Sequence, residues 1–427
     1  MAFAAVPSYL PANLMREASP GLRFGMYLPI WGENLRTKAR LWGNTDIDFA
    51  ATGREREERE VSKVNKRSAL DHAIRLSDDD RDRNKAFRDR QRSSALPSLT
   101  DGSLLRIEGI STAPFTTGLG NEHPLENGFS FLAPYGLPYL PGSGVKGVLR
   151  SAARELEWSD GFIDVLFGGF SDSGFGPLRG ALCFWDVVPE IYGGRLLVEV
   201  MTPHSSHYYA PRHDDQQSDS PHDSGEPNPI FFLTVPPGSL FSFNITCDRY
   251  FLQSLAHSRD RPLGPDVAKA AQDLVDQPER WKPLLREAID LAFDWLGFGA
   301  KTAVGYGAIR HNEAEQRRTE EWVQREREKA SQKAARHGKS TAQLLVLDFI
   351  SWCEEKERNL RGRKSKVGEE PFQKAQELAK ISLDASWSEP EREEAILAIE
   401  SWAVRLIAID LKDLRKRLVL GRAKRPS

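Results

Sequence analysis

The sequence is short of cysteine. Its three, Cys183, Cys247 and Cys353, lie far apart and form no C-x-x-C pair, which argues against a disulfide framework or a cysteine-ligated zinc site. Nowhere do about 18 apolar residues run together, so no segment reads as a membrane-spanning helix. A basic leader is also missing: the first fifteen residues are interrupted by Pro7 and Pro11 and do not read as a signal peptide, so a cytoplasmic setting is expected. Net charge is nearly absent, with 59 Lys and Arg against 61 Asp and Glu. Free-standing nucleic-acid binders often carry a basic excess. Any contact with nucleic acid must here come from a local patch, since screening limits attraction to about 8 Å at physiological salt.

What is present is a folded chain of 427 residues, 40% hydrophobic and 28% charged, long enough for two or three packed units. Residues 1–100 form an N-terminal segment. It has a possible strand at LRFGMYLPIW and a stretch, 54–95, dense in charge of both signs, which suits a solvated helix or a mobile insertion. Residues 101–311 alternate differently. GSLLRIEGIST reads as a strand, and Val145 to Trp158 as a helix with Val145, Val148, Leu149, Ala152, Ala153 and Leu156 on one face. Strand-like runs follow: GALCFWDVVP, RLLVEVMTP, IFFLTVP and SLFSFNITC. Then come a helical stretch over 266–296 and a last strand, GYGAIRH. The order strand, helix, strands, helix, strand predicts an α+β fold: a split β-α-β, ferredoxin-like (RRM-type) core with an antiparallel sheet and helices on one face. The sheet face or the helix entrances would be free for a ligand. Residues 312–427 read as a helical extension, in which Ser388 and Glu391 have capping-box spacing around Pro390.

Two glycine-rich segments carry the chemistry. In GLPYLPGSGVKGVLRSAARE, residues 136–155, Gly142, Gly144 and Gly147 strip side chains from a helix start, where unpaired amides at the positive end of the dipole can approach a phosphate. Lys146, Arg150 and Arg154 follow at i, i+4 and i+8 as a cationic stripe expected to point away from the core, a natural counterpart to a phosphate backbone. The same pattern also describes a solvated helix face behind an ordinary turn. In GFGAKTAVGYG, residues 297–307, four glycines surround Lys301 and Thr302. A Walker A loop needs glycine before the lysine and a following helix; here Ala300 precedes Lys301 and a strand follows, so an NTPase is disfavoured. A backbone nest with one lysine, or a plain tight turn, remains.

A polar loop holds His204, His207, His213 and His222 near Asp214, Asp215, Asp219 and Asp223. Its spacing is irregular, so a structural or RNA-contacting loop is read ahead of a metal site or acid–base chemistry. Tyr208 and Tyr209 suit base stacking or loop anchoring equally.

The segments YLPGSGVKGVLRSA and GFGAKTAVGYG resemble signatures of RAMP-superfamily CRISPR proteins. With VMTPHSSHYYA and EPNPIFFLTV added, the chain resembles the sixth-subunit family of the type III-B (Cmr) effector complex, over residues 100–311, about half its length. The resemblance implies a non-catalytic RNA-binding subunit of an antiviral ribonucleoprotein, with no cofactor and no metal. Such a subunit caps the backbone filament toward the 3′ end of the guide RNA and helps hold the guide–target RNA duplex. Its partners are the guide, the target and the other Cmr subunits, above all the backbone subunit, and no membrane. The implied RNA contacts are Gly142, Ser143, Lys146, Gly147 and Arg150 at the helix entrance, with Arg154 continuing the stripe, and Gly299, Lys301, Thr302, Gly305 and Gly307 at the second turn. Gly144 departs from the family's second serine, and the flanking regions are additions. Two rivals stand: a metal-independent RAMP endoribonuclease using His204 or His207, and a scaffold that touches only protein.

Overall fold

The computed structural model describes residues 17–33, 40–42, 69–169, 177–204, 229–257, 264–336, 338–360 and 362–418, with residues 4, 6, 9, 67 and 208 besides. The chain divides into two compact units, Met1–Val323 and Gln324–Ser427.

The first unit opens with a helix where a strand was expected. α1 (Pro20–Gly25) takes up LRFG because Ser19 accepts from the Leu22 amide and Pro20 presets the first helical turn; strand geometry begins only at Trp31. α2 (Asp78–Thr100) orders the second half of the charged stretch. Its start is a reciprocal cap: the Asp80 amide donates to Ser77 Oγ at 3.1 Å and the Ser77 amide to Asp80 Oδ2 at 2.9 Å. Asp80 is fully buried and faces Arg23, whose guanidinium donates to the carbonyls of Ala18, His72 and Arg75.

Then come β1 (Leu104–Ser111), α3 (Gly142–Glu155), α4 (Asp160–Phe167), β2 (Leu182–Phe184), β3 (Leu197–Met201), β4 (Ile230–Thr234) and β5 (Leu240–Cys247). Three helices follow, α5 (Arg249–Ala256), α6 (Pro265–Asp276) and α7 (Trp281–Leu291), then a five-residue π turn, Ala292–Leu296, and β6 (Ile309–His311). The helical stretch expected over 266–296 is thus broken after Asp276, and α4 and α5 are helices the alternation did not announce. β3 and β4 pair with each other as a separate hairpin. The other four strands form one antiparallel sheet in the order β6-β1-β5-β2, so the first strand and the third lie side by side at its centre.

Period-two alternation gives that sheet two unlike faces. Leu105, Ile107, Phe241, Phe243 and Ile245 enter the main core with Leu149 and Ala153 of α3 and Leu285 and Ile289 of α7. Gly109 leaves room for Ile309 of β6 and Phe293 of the π turn, since a Cβ there would sit 2.7 Å from Ile309 Cγ2 and 3.3 Å from Phe293 Cζ. On the reverse face Ser242 stands opposite Glu108, and Asn244 opposite Arg106. This face was expected to be free. It is instead covered by α2 and the first turns of α8 (Glu313–Arg336). Ala95, Leu99, Leu104 and Val323 make a small apolar cluster there, flanked by Trp185 and Trp322. Buried Glu108 is satisfied in place: Arg106 Nε donates at 2.6 Å, Ser242 Oγ at 2.6 Å and Thr319 Oγ1 at 3.0 Å.

The second unit takes the rest of α8, then α9 (Thr341–Leu360), α10 (Glu370–Ile381), α11 (Glu389–Leu406) and α12 (Leu411–Leu418). Val346, Phe349, Phe372, Ala375, Ile399 and Leu414 share its core. The cap at Ser388 forms as its spacing predicts, with the Ser388 amide donating to Glu391 Oε2 at 2.7 Å.

Candidate nucleic-acid interface

α3 begins at Gly142, three residues before the apolar face starts. The bare amides expected there are largely taken. The Gly142 amide donates to Asp186 Oδ1 at 2.7 Å, and those of Gly144 and Val145 donate to the Pro141 carbonyl at 2.8 and 3.1 Å. The chain thus supplies its own carboxylate to the positive end of the helix dipole. Gly142 is buried, and a Cβ on it would lie 2.1 Å from the Phe184 carbonyl oxygen. Glycine is required at that position by the crossing chain. Ser143 and Gly147 are exposed, and a Cβ on Gly147 would meet nothing within 4 Å.

The cationic stripe is interrupted. Lys146 is half-buried, with no ionic partner among the described residues, and Arg154 is exposed in the last turn. Arg150, expected to point outward, has a side chain only 16% exposed, with Nη2 3.9 Å from Asp164 Oδ1. The reason is α4, which packs on α3 and lays Asp164 against it. Burial pushes the Asp164 carboxyl above the usual range, while Arg150 and then Arg154 pull it down.

The second segment is a stitched turn. Gly297, Gly299, Gly305 and Gly307 all have φ between 68° and 91°, the left-handed region open to glycine. Two of them also permit close crossings: a Cβ on Gly299 would lie 2.2 Å from the Thr116 carbonyl oxygen, and one on Gly307 1.8 Å from that of Phe298. The Ala300 amide donates to Thr116 O and the Gly307 amide to Pro114 O, both at 2.8 Å, which ties the turn to the chain leaving β1. Lys301 itself is left-handed, φ 60° and ψ 31°, at a cost of about 1 kcal/mol for a residue with a Cβ. Its Nζ lies 3.3 Å from Met201 Sδ and 5.3 Å from the centre of the Phe232 ring, with no carboxylate partner among the described residues. Tyr306 packs on the same Phe232 ring at 5.6 Å. Burial raises its phenol pKa, and Glu199, to which it is hydrogen-bonded, raises it further. Thr302 is half-buried at the start of a 3-10 turn, and Gly305 is exposed.

The two segments are connected through the π turn, which packs on α3 and leads directly into the glycine turn. The hairpin residues that seat Lys301, namely Met201 and Phe232, were not singled out from the sequence. Their strands were legible, but their convergence on a lysine a hundred residues downstream was not. Trp295, in the π turn and 81% exposed, also carried no warning in the pattern.

His204 is half-buried just beyond β3, and Tyr208 is exposed; His207, Tyr209, His213 and His222 lie outside the described residues. Among the described residues no three or more His, Cys, Asp or Glu side chains are grouped to hold a metal ion, and no helix is long and apolar enough to cross a membrane.

Residues 110–310 match the family model described as the RAMP superfamily. The matched region runs from the end of β1 into β6 and contains both glycine segments. Over 249 residues the chain is 28% identical to the CRISPR system Cmr subunit Cmr6 of Pyrococcus furiosus, an alignment covering 45% of this chain and 63% of that protein. The chain therefore spans less than two thirds of the length of this relative. Among solved structures, a cryo-EM structure of the type III-B Cmr-β complex bound to cognate target RNA aligns with a TM-score of 0.39 and 20% identity, over 59% of this chain and 73% of the other. The crystal structure of Cmr6 from Pyrococcus furiosus aligns with a TM-score of 0.26 and 22% identity, over 49% and 97%.

Proposed function

We propose, from the RAMP domain at 110–310, that this chain is the sixth-subunit type of a cytoplasmic type III-B CRISPR effector, with a ferredoxin-like core that binds guide RNA without cleaving it. It caps the backbone filament toward the guide's 3′ end and helps hold the guide–target duplex. The observation that carries the reading is Lys301. A half-buried ammonium with no carboxylate partner among the described residues keeps the capacity to take an anion. This one is held in a left-handed backbone, between glycines, over Met201 and Phe232. A phosphodiester supplies the missing charge and needs no base identity. Lys146, Arg154 and the exposed backbone at Ser143 and Gly147 extend the track, while Arg150 acts mainly through Asp164.

The test is filter binding of the purified chain to a guide-length RNA, with and without the other effector subunits. Lys301→Ala and Lys146→Ala should each weaken binding, and the RNA should stay intact without metal. RNA cleavage that is lost in His204→Ala would establish the endoribonuclease instead. Absence of RNA affinity in the assembled complex would leave a protein-only scaffold.

A further inference from the structure

The polar face of the sheet and α2 border a half-open cavity of about 690 Å³, with the chain around Glu190 and Gly194 on its far side. Its α2 wall is formed by Arg81, Asp82, Lys85, Arg88, Asp89 and Arg92. Their spacing, i, i+1, i+4, i+7, i+8, i+11, makes them one helix face. Arg81, Asp82, Lys85 and Asp89 are exposed and stay hydrated, Asn84 stands among them as a neutral polar residue, and Glu315 adds a carboxylate to the lining.

The floor is more specific. The Arg106 side chain is 10% exposed and held by two strands: Nε donates to Glu108 at 2.6 Å, and Nη1 donates to Asn244 Oδ1 at 3.3 Å. Nη2 has no partner among the described residues, and Arg106 lines the cavity. Glu108 does not call on that last edge, because Ser242 and Thr319 complete it. Around this edge Arg88 is already paired with Glu190, and Arg92 lies over the Trp322 ring at 4.3 Å. Lys85 has no ionic partner among the described residues. Arg106, Lys85 and Arg92 therefore line one cavity with capacity to spare, and Asp82, Asp89 and Glu315 stand as acceptors on the same lining.

We propose that this cavity binds the phosphate of a nucleotide. The phosphate sits on the Arg106 edge between Lys85 and Arg92, and amino groups of the base face Asp82 and Asp89. A fixed guanidinium edge suits a phosphate oxygen better than a mobile ammonium does. The volume falls within the usual span of small-ligand sites, about 300–1,000 Å³. The phosphate comes either from a free nucleotide or from the end of an RNA strand. The site is separate from both glycine segments, so it stands or falls independently of the guide-RNA reading.

Calorimetry on the full chain distinguishes the outcomes, with AMP, adenosine, inorganic phosphate, and a short RNA with and without a 5′ phosphate as probes. AMP should bind saturably, and adenosine at least about tenfold more weakly, a loss of about 1.4 kcal/mol. Lys85→Ala, at an exposed position, should weaken AMP about fivefold or more with an unchanged melting temperature. Lys301→Ala should leave AMP binding as it was. Saturation by the phosphorylated RNA alone, lost in Lys85→Ala, assigns the phosphate to a strand end and also supports the site. No saturable binding of any phosphate-bearing probe, or equal affinity in the native chain and Lys85→Ala, overturns it.

Discussion

The amide of Gly142 donates to Asp186 Oδ1 across 2.7 Å, joining the first residue of α3 to a residue 44 positions later, just past β2. The same residue's carbonyl accepts from Gln91 of α2. Asp186 therefore fixes where the helix entrance sits and also occupies the place a phosphate would take. Asp186→Ala should cost about 1 kcal/mol, the usual worth of a helix cap. It should also tighten RNA binding, because the dipole end is released. Thermal denaturation and filter binding read the two effects separately. A drop in affinity would mean that Asp186 positions the entrance more than it blocks it.

Gly142→Ala should be the most damaging change at the entrance. The added methyl meets the Phe184 carbonyl oxygen at 2.1 Å, and overpacking of this kind costs about 1–3 kcal/mol. Gly147→Ala, with open space around it, should leave the melting temperature within error or raise it slightly, since alanine favours the helix.

Lys301→Gly should separate stability from binding. Glycine relieves the left-handed strain, so the melting temperature should hold or rise, whereas loss of the ammonium should weaken RNA binding. The dependence of log affinity on log salt should become shallower by about 0.7 if one phosphate contact is removed from a single strand. An unchanged slope would take Lys301 out of the RNA contact.

His123 should confer acid sensitivity. Its Nδ1 accepts from the Leu125 amide at 3.2 Å, which leaves the proton on Nε2, 3.0 Å from the Phe24 carbonyl oxygen. Its ring stacks on Phe24 with 3.8 Å between centres. Burial lowers its pKa from 6.5, the Phe24 bond pulling the other way. Above about pH 6.5 both folded and unfolded rings are neutral and nothing is lost. As pH falls below that value the unfolded chain takes up the proton first, so stability declines until the folded pKa is passed. Melting temperatures measured down this range should fall less in His123→Gln than in the native chain.

Arg23→Met should destabilise the first unit by about 1–3 kcal/mol, because it takes the donor from the carbonyls of Ala18, His72 and Arg75, while buried Asp80 keeps its ion pair with Arg83 at 2.9 Å. The double variant with Asp80→Asn should cost less than the sum of the two single changes, which a double-mutant cycle in urea measures.

Thiol labelling should distinguish the cysteines. Cys183 is exposed, whereas burial pushes the thiols of Cys247 and Cys353 up to about 12. At mildly alkaline pH one of the three should react quickly in the native chain, and all three only after unfolding.

The strands were legible because alternation and bounding glycines are local signals. So was the buried face of α3, through its 3.6-residue period. The glycine turn was legible as a turn because four positions demand left-handed backbone. What stayed hidden depends on distant partners. Asp186 is no more conspicuous than other acids in the chain until the fold brings it to Gly142. Arg150 looks like its neighbours Lys146 and Arg154 until α4 presents Asp164. The mixed charge of α2 reads as a solvated surface, yet its ends carry the apolar and polar contacts that close one face of the sheet: Asn84 donates to the Pro189 carbonyl, and Ala95 and Leu99 pack on Leu104. Ser19 and Pro20, a helix start in miniature, were outweighed by the β-like run that follows them.

That covered sheet limits how the domain can discriminate. An open four-stranded surface lays bases flat on its side chains and reads their edges. Here the equivalent surface carries a helix, so a strand drawn to the glycine turns would be gripped by its sugar–phosphate rail while its bases stay outside. A grip of that kind is indifferent to base sequence.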